Sequence, residues 1–311
     1  METLAMRVRV LQEQLLRKGT RLLVVIPPAK YQPGYTQADP AWALANPERN
    51  LNELMYYLDS FGVDAIDFNR SFPNAEIPYE ECFYKTERFW TIPAAFRAAR
   101  DVVGWVDRVS GTRLDPDGVW LSEKSFEKVT YPDGMLGSEG RRTGEAFAGR
   151  EDFVALWPTG GPQVERLRYL EKSRQVFRGT IMETLIDRSV AEEESGIGGR
   201  SAYASYMGDE YSHEVMTNLD MPDGPRLLLV RDSYFSPMIP FLMPMFGVID
   251  SIWSEHEDTY YGLSSALAGE TFDYVIVEVD PYRINNEAFD FCVKEADRRV
   301  AQLRMEEEAG L

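Results

Sequence analysis

The sequence is poor in the two residue types that most often hold metals or transfer protons. It contains only two cysteines, Cys82 and Cys292, and two histidines, His213 and His256. No Cys-x-x-Cys pair or other metal-ligand spacing occurs, so we expect neither a metal site nor a cofactor. Two cysteines this far apart in sequence do not indicate a redox compartment, and whether they pair stays open.

Positive charge and long apolar runs are also scarce. The chain has 33 basic and 51 acidic residues, for a formal net charge of −18. This charge disfavours nucleic acid and anionic membrane surfaces as partners, without indicating a substrate. No apolar segment reaches the roughly 20 residues of a transmembrane helix. No signal peptide begins the chain, which is compatible with a fragment or with a mature form that has lost its export segment.

The remaining composition is that of a folded α/β protein. Hydrophobic residues make up 44% of the 311 residues and charged residues 27%. Buried-strand patterns alternate with helical periodicity, which favours a parallel sheet covered by helices on both faces. We expect a single domain over residues 1–311. The predicted strands are residues 21–28, 63–68, 227–230, 248–253 and 274–279, and the predicted helices are residues 4–15, 51–61, 94–109, 258–268 and 289–303.

One part of the chain interrupts this alternation. Over residues 111–158 the helical period disappears, and short segments such as VWLSEKSFEKVTY and EDFVALWP lie between Gly, Asp and Pro turns. We predict a small β-rich insertion of antiparallel strands there. Residues 159–199 are weakly patterned, and we assign no element to them.

The chain is organised around RLLLVRDSYFSPMIPFL, residues 226–242. The apolar run LLLV predicts a buried parallel strand. Ser236 and Pro237 have the pattern of a helix N-cap followed by proline at the first helical position. Ser233 is therefore expected in a turn between strand and helix, beside free N–H groups that suit a developing oxyanion. The alternative is that Ser233 is an ordinary serine of a βα loop.

Four segments in order resemble one family. They are LLVVIPPAK, FYKTERFWT, YASYMGDEYSHEVMT and LLVRDSYFSPMIPFL, beginning at residues 22, 83, 203 and 228. Together they resemble the bacterial SGNH-hydrolase-like proteins of the DHHW type, which are related to periplasmic acetyltransferases of alginate and other envelope polysaccharides. The resemblance implies a three-layer, flavodoxin-like sheet, a serine nucleophile at Ser233 and a location outside the cytoplasmic membrane. It also implies a glycan ligand and, as a further partner, a membrane-bound acetyl-donor protein.

The FYKTERFWT segment departs from the family pattern Asp-His-His-Trp. In the family the Asp and the second His are the partners of the serine, and the matching residues here are Glu87 and Phe89, with Arg88 at the first His. Glu87 is still an acid that could orient an imidazole, whereas Phe89 cannot accept a proton. The nucleophile block keeps Asp232 and Ser233.

The third segment departs as well. The family's Gly-Gly-Asn is Gly208-Asp209-Glu210 here. An Asn side chain can donate a hydrogen bond to an oxyanion, but an ionised Glu210 only accepts and would repel one. By resemblance, the candidate substrate-binding residues are Gly208, Glu210, Arg231, Tyr234 and Trp90. The alternatives are that Trp90 is a packing residue and that Arg231 pairs with a neighbouring acid.

Two histidines could replace the missing base. His213 lies in the third segment. His256 follows the strand after the nucleophile helix, and in a parallel sheet the end of that strand faces the same edge as Ser233. Each histidine could equally be a solvated surface residue.

These observations support two main hypotheses about function. In the first, the chain is a catalytically impaired relative that binds a glycan or a partner in envelope polysaccharide O-acetylation, because a positioned general base contributes about 10²–10⁴-fold to the rate. In the second, it is an active serine-dependent O-acetyltransferase or acetylesterase that uses Ser233 with His256 or His213 as a relocated base. Reuse of the scaffold for an unrelated function is a third hypothesis.

Overall fold

The computed structural model describes residues 1–31, 48–74, 77–193, 200–208, 211–254, 267 and 269–284. Ten strands are described: β1 (Arg21–Ile26), β2 (Ala65–Asp67), β3 (Phe126–Met135), β4 (Glu151–Pro158), β5 (Gln163–Leu170), β6 (Ser173–Thr180), β7 (His213–Asn218), β8 (Arg226–Arg231), β9 (Val248–Trp253) and β10 (Tyr274–Glu278).

The described helices fall into long and short ones. The long helices are α1 (Glu2–Leu16), α2 (Glu48–Ser60) and α4 (Ile92–Ser110). The short ones are α3 (Phe68–Ser71), α5 (Ser138–Thr143), α6 (Glu145–Ala148), α7 (Ile181–Thr184), α8 (Arg188–Glu192) and α9 (Met238–Leu242).

Eight strands form one sheet in the order β2-β1-β10-β8-β9-β7-β5-β6. The first five are parallel to one another. β7 then pairs antiparallel with β9, β5 with β7, and β6 with β5. The central strands β8 and β10 are buried almost throughout, as their apolar sequences predicted. The parallel part of the sheet therefore brings the carboxyl ends of five strands to one edge.

Helices cover both faces of the parallel strands, which makes three layers. On one face α1 and α2 pack on alternate strand residues such as Val24, Leu228 and Val277. On the other face α4 packs on the intervening ones, such as Leu229 and Ile276. The predicted α/β class with a mostly parallel sheet is thus confirmed.

The predicted β-rich insertion is confirmed as a separate two-stranded sheet. β3 and β4 pair antiparallel, with an irregularity between Tyr131 and Met135. Their buried residues Phe153, Ala155 and Trp157 join the core on the α4 face.

The antiparallel extension β7-β5-β6 was not predicted. β5 and β6 lie in residues 159–199, where we assigned no element. These strands were missed because a buried position of β5 is occupied by a charged residue. Arg166 is only 4% exposed, whereas the alternating pattern of a half-buried strand has an apolar residue at such a position. Its burial depends on Glu214 of β7, which is distant in sequence.

The predicted helices at 258–268 and 289–303 lie almost entirely outside the described residues, as does Cys292. Cys82 is buried, and burial raises the pKa of its thiol to about 12. The single-domain organisation of residues 1–311 stays a prediction.

Candidate active site at the carboxyl edge of the sheet

Ser233 lies two residues after the end of β8 and begins a single 3₁₀ turn, Ser233–Phe235. Asp232 is the N-cap of that turn, and its Oδ1 accepts a hydrogen bond of 2.7 Å from the Tyr234 amide. The α-helix starts only at Met238. The predicted Ser236 cap is therefore wrong: the Ser236 hydroxyl accepts from Arg231 Nη1 at 2.9 Å and caps no helix. The five-residue α9 supplies little helix dipole to Ser233.

Three buried acids surround this turn. Glu278 ends the adjacent strand β10, and its Oε2 accepts from the Asp232 amide at 2.6 Å. Asp280 follows two residues later and is 4% exposed. Glu278 and Asp280 were not predicted as site residues. They lie at and just after the end of the predicted strand 274–279, and they reach the serine turn through the pairing of β10 with β8.

The charges of these acids are coupled. Burial raises the pKa of Asp232 to about 6; the hydrogen bond with Glu278 acts in the opposite direction, and the charge of Asp280 adds to the rise. Burial, followed by the charge of Asp232, raises the pKa of Glu278 well above its usual value. Two carboxyl groups this close cannot both ionise at low cost, so the pair retains a proton to higher pH than isolated acids.

Two cations lie near Asp280 of this cluster: Arg88, and Arg283 with its Nε 3.9 Å from Asp280 Oδ2. Arg88 is the closer one. Its Nη1 lies 3.2 Å from Asp280 Oδ2, and its carbonyl oxygen accepts from the Tyr234 hydroxyl at 3.1 Å. The Arg88 guanidinium also lies over the Phe89 ring, at 4.8 Å from its centroid. Arg88 thus links the acid cluster to Phe89.

Phe89 packs among aromatic rings beside the serine turn. Its ring stacks on Tyr203 with centroids 5.2 Å apart and meets the Tyr234 ring edge-on at 4.9 Å. Trp90 is fully buried, and its indole N–H donates to the Tyr234 carbonyl at 2.8 Å. Tyr234 is likewise fully buried. The structure places these three rings in the packing that supports the turn. Trp90 and Tyr234 are fully buried, whereas Phe89 is partly exposed.

Glu87 caps a helix. Its Oε2 accepts from the Ser138 amide at 2.8 Å, and its Oε1 accepts from the Ser138 hydroxyl at 2.7 Å and the Arg88 amide at 2.8 Å. Lys30 holds the backbone on either side of Thr86, because its Nζ donates to the carbonyl oxygens of Glu87 and Lys85 at 2.8 and 2.9 Å. Both carboxylate oxygens of Glu87 are therefore engaged at the start of α5.

The two histidines differ in what the structure describes. His213 begins β7, where its Nε2 lies 2.8 Å from Asp250 Oδ1 and its ring stacks on Tyr169 at 4.6 Å. It is in register with Ile252, whose side chain packs in the core on the α1 and α2 face. His256 lies outside the described residues.

The other predicted substrate-binding residues are only partly brought together. Arg231 is 1% exposed and donates from Nε to Ser251 Oγ at 2.9 Å, with Glu214 Oε2 3.9 Å from its Nη2. Gly208 has a φ of +78°, which favours glycine. Glu210 lies outside the described residues. The described part of the chain contains no cluster of three or more acidic, His or Cys side chains suited to a metal ion.

Residues 1–126 match the family model described as SGNH hydrolase-like domain, acetyltransferase AlgX. The resemblance is confirmed. No curated protein is significantly similar to the chain in sequence.

Solved structures share the fold of this protein over nearly the whole chain. Bacillus cereus PatB1 has a TM-score of 0.70 and 17% identity, with 93% of this chain and 92% of that chain covered. A DHHW family protein from Eubacterium siraeum has a TM-score of 0.63 and 14% identity, with 93% and 87% covered. At these identities the likeness shows the fold, and no helix among the described residues is long and apolar enough to cross a membrane.

Proposed function

We propose that this chain is an SGNH-hydrolase-like protein of cell-envelope polysaccharide O-acetylation that does not transfer acetyl groups by the family's serine–histidine route. Its role is then to bind a glycan or a partner protein of that system. The acetyltransferase family model over residues 1–126 supports the link to O-acetylation. The observation that supports the proposed loss of acetyl transfer is the packing of Phe89 against Tyr203 and Tyr234 beside Ser233.

Phe89 supports this proposal because of its position as well as its identity. By the family resemblance, its position is that of the base that takes the proton of the serine. Its ring stacks on Tyr203 and meets Tyr234, the residue after Ser233. A phenyl ring has no atom that can accept the proton of the serine.

The surroundings of the other partners agree with the proposal. Both oxygens of Glu87 are held by Ser138 and the Arg88 amide, so orienting an imidazole would require breaking the α5 cap. His213 lies on β7, which β9 separates from β8 and the serine turn. Asp232 keeps its carboxylate on the turn amide, where it holds the backbone of Ser233 in place.

The expected location and partners follow the same proposal. Envelope polysaccharide lies outside the cytoplasmic membrane, so we place the protein there, with a glycan and a membrane-bound acetyl-donor protein as its partners. The net charge of −18 disfavours nucleic acid.

Hydrolysis of p-nitrophenyl acetate tests the proposal. The wild type, Ser233→Ala, His256→Ala and His213→Ala proteins are compared at equal concentration with buffer alone. We expect all four proteins to match one another, because acetyl transfer through Ser233 needs a positioned base worth about 10²–10⁴-fold.

One result would support the second function, that of an active acetyltransferase or acetylesterase. This is a wild-type rate that falls by about two orders of magnitude in Ser233→Ala and in one histidine variant. The histidine whose loss abolishes the rate would then be the relocated base.

A further inference from the structure

The eight-stranded sheet ends in a long strand whose outer side is open. β6 has eight residues and pairs with β5 on one side. Among the strands that the structure describes, none pairs with its other side, which we call the open edge. β6 contains no proline, one of the features with which proteins block the edge of a sheet. β2, at the opposite end of the sheet, has only three residues, so the open edge is the longer of the two sheet edges.

Thr180, the last residue of β6, shows which backbone groups face the open edge. In an antiparallel pair, two residues in register direct their backbone groups either toward each other or both away. Thr180 is in register with Gln163, whose carbonyl oxygen accepts from the Leu219 amide on the β7 side. The Thr180 amide donates to Glu183 Oε2 at 2.8 Å. Thr180 therefore directs its backbone groups away from β5.

The same orientation recurs at every second residue of the strand. Arg178, Val176 and Arg174 therefore direct their N–H and C=O groups to the open edge, and their side chains share one face of the sheet. Val176 is 50% exposed, and the side chain of Arg178 is 71% exposed. Arg174 is exposed as well. The open edge thus presents backbone hydrogen-bonding groups beside one apolar and two cationic side chains.

The two arginines of the open edge differ in their partners. Arg178 forms an ion pair with Glu165, which lies opposite it on β5. Arg174 forms no ion pair with any residue that the structure describes. Among nearby acids, Glu171 lies in the turn before β6, and Glu183 accepts from the Thr180 amide and hydroxyl. The row Arg174, Val176, Arg178 therefore carries two guanidinium groups against the one carboxylate of Glu165.

A second copy of this chain matches the open edge poorly. If two β6 strands paired antiparallel about Val176, Arg174 of each copy would lie opposite Arg178 of the other. Like charges directly opposite each other destabilise a strand pair. Each copy also carries a net charge of −18, which adds a general repulsion. Charge complementarity therefore favours a different occupant, with acids at the positions that face the arginines.

We propose that the open edge of β6 binds an extended acidic segment of another protein, which adds a ninth strand to the sheet. Backbone hydrogen bonds hold the added strand, and its side chains give the selectivity. An acid opposite Arg174, an aliphatic residue opposite Val176 and an acid opposite Arg178 form favourable cross-strand pairs. Strands β5, β7 and β9 separate β6 from β8, so this interaction does not depend on whether Ser233 is active.

Nuclear magnetic resonance titration of the full isotope-labelled chain with capped peptides tests the proposal. The acidic peptide is Thr-Thr-Glu-Thr-Val-Thr-Glu-Thr-Thr, and the basic peptide has lysine in place of both glutamates. Two further acidic peptides are N-methylated, one at the valine, whose amide would face β6, and one at the preceding threonine, whose amide would face away.

Three variants of the chain complete the design. Arg174→Glu reverses a charge that has no described partner. Lys172→Glu is its matched control, because it makes the same change of charge in the turn before β6. Val176→Pro removes an N–H group from the open edge, where proline is tolerated because β5 does not use that group. Thermal unfolding of each variant confirms that the protein titrated is folded.

We expect the wild type to bind the acidic peptide more tightly than the basic one. Arg174→Glu should shift this preference toward the basic peptide by about threefold or more, because one favourable cross-strand pair becomes unfavourable, whereas Lys172→Glu keeps the preference of the wild type. N-methylation at the valine should weaken binding about tenfold or more, and N-methylation at the threonine should not.

Amide hydrogen exchange with the acidic peptide bound shows where the strand is added. Exchange should slow at Arg174, Val176 and Arg178, whose amides face the open edge. It should stay unchanged at Gln175 and Phe177, whose amides face β5. Val176→Pro should weaken binding of the acidic peptide about threefold or more, since one hydrogen bond is lost.

Several results would overturn the proposal. They are equal binding of the acidic and basic peptides, equal effects of the two N-methyl groups, and an equal shift of preference in Lys172→Glu, which would indicate a diffuse charge effect. Sedimentation equilibrium without peptide tests the other occupant: a dimer that is lost in Val176→Pro would assign the open edge to a second copy of the chain instead. Since every readout is binding or association, failure here is separate from failure of the ester-hydrolysis experiment.

Discussion

At the scale of single residues, the region around Ser233 combines an intact turn with altered partners. The Asp232 carboxylate organises the turn, while Glu87 caps α5 and Phe89, at the position that the proposed function assigns to the missing base, packs on Tyr203 and Tyr234. The backbone geometry around the serine is thus retained separately from the groups that would activate it. A single substitution at residue 89 can therefore test whether Ser233 becomes reactive when a base is placed beside it.

Phe89→His restores an imidazole beside the serine turn. We expect Ser233-dependent hydrolysis of p-nitrophenyl acetate to rise at least about tenfold over the wild type, and less than the roughly 10²–10⁴-fold of an oriented base, because Glu87 stays bonded to Ser138. Phe89→Leu is the matched control, since it alters packing without adding a base. The double variant Phe89→His with Ser233→Ala should return to the rate of the wild type.

A rate in Phe89→His equal to that in Phe89→Leu would place the loss of activity elsewhere. The segment Gly208-Asp209-Glu210 would then be the next region to restore, because it replaces the family's Asn with an acid.

Residues of the site could be predicted where neighbouring residues in the sequence indicate their position, and not where the position depends on a distant strand. Ser233 was predicted because an apolar strand and a turn precede it in the same 17-residue stretch. Glu278 and Asp280 were missed because they reach the serine turn only through the pairing of β10 with β8. A pairing between strands distant in sequence leaves no local pattern.

At the scale of elements, the sheet consists of a predictable half and an unpredictable half. The parallel strands are apolar runs that any periodicity analysis detects. β5 and β7 are held together by Glu214, which bonds Arg166 and Arg168 across the register. In the sequence, charged residues that form a buried ion pair look the same as charged residues on a solvated strand face. These strands can therefore be recognised only when the strand that supplies the opposite charge is known.

Glu214→Ala measures how much the extension depends on this carboxylate. We expect a loss of about 3–5 kcal/mol in the free energy of unfolding, because two buried guanidinium groups lose their counter-ion. Urea denaturation followed by circular dichroism gives the value. Glu165→Ala is the control on the same strands, where the partner Arg178 is 71% exposed and the expected loss is under about 1 kcal/mol. Equal losses of unfolding free energy in Glu214→Ala and Glu165→Ala would mean that the buried ion pairs of Glu214 stabilise the sheet no more than an exposed pair does.

At the scale of the whole molecule, the buried acids set how stability depends on pH. Burial raises the pKa of Asp232 to about 6 and raises that of Glu278 well above its usual value. The native state therefore binds protons that the unfolded chain releases above about pH 4. The stability that Asp232 contributes is fully present below that pH and is lost as the pH rises through about 6, whereas the contribution of Glu278 is lost at higher pH.

Glu278→Gln should flatten this dependence. The amide keeps an oxygen that can accept from the Asp232 amide but carries no charge, so we expect a gain of about 1–3 kcal/mol near pH 7 and little change near pH 4. Urea midpoints measured across this range give the comparison. Glu80→Gln, at an exposed acid, should leave the slope of the wild type unchanged. A slope in Glu278→Gln as steep as in the wild type would contradict the coupling.

The way the signature loop is held has a consequence for how such proteins diverge. Lys30 and the Ser138 helix start fix the backbone of FYKTERFWT, and Gly137 packs so closely that an added Cβ would lie 2.3 Å from the Thr86 carbonyl oxygen. None of these contacts involves the side chain of residue 89. A change of side chain at residue 89 therefore leaves these backbone anchors in place, so the chemistry of this position can vary while the loop keeps its course.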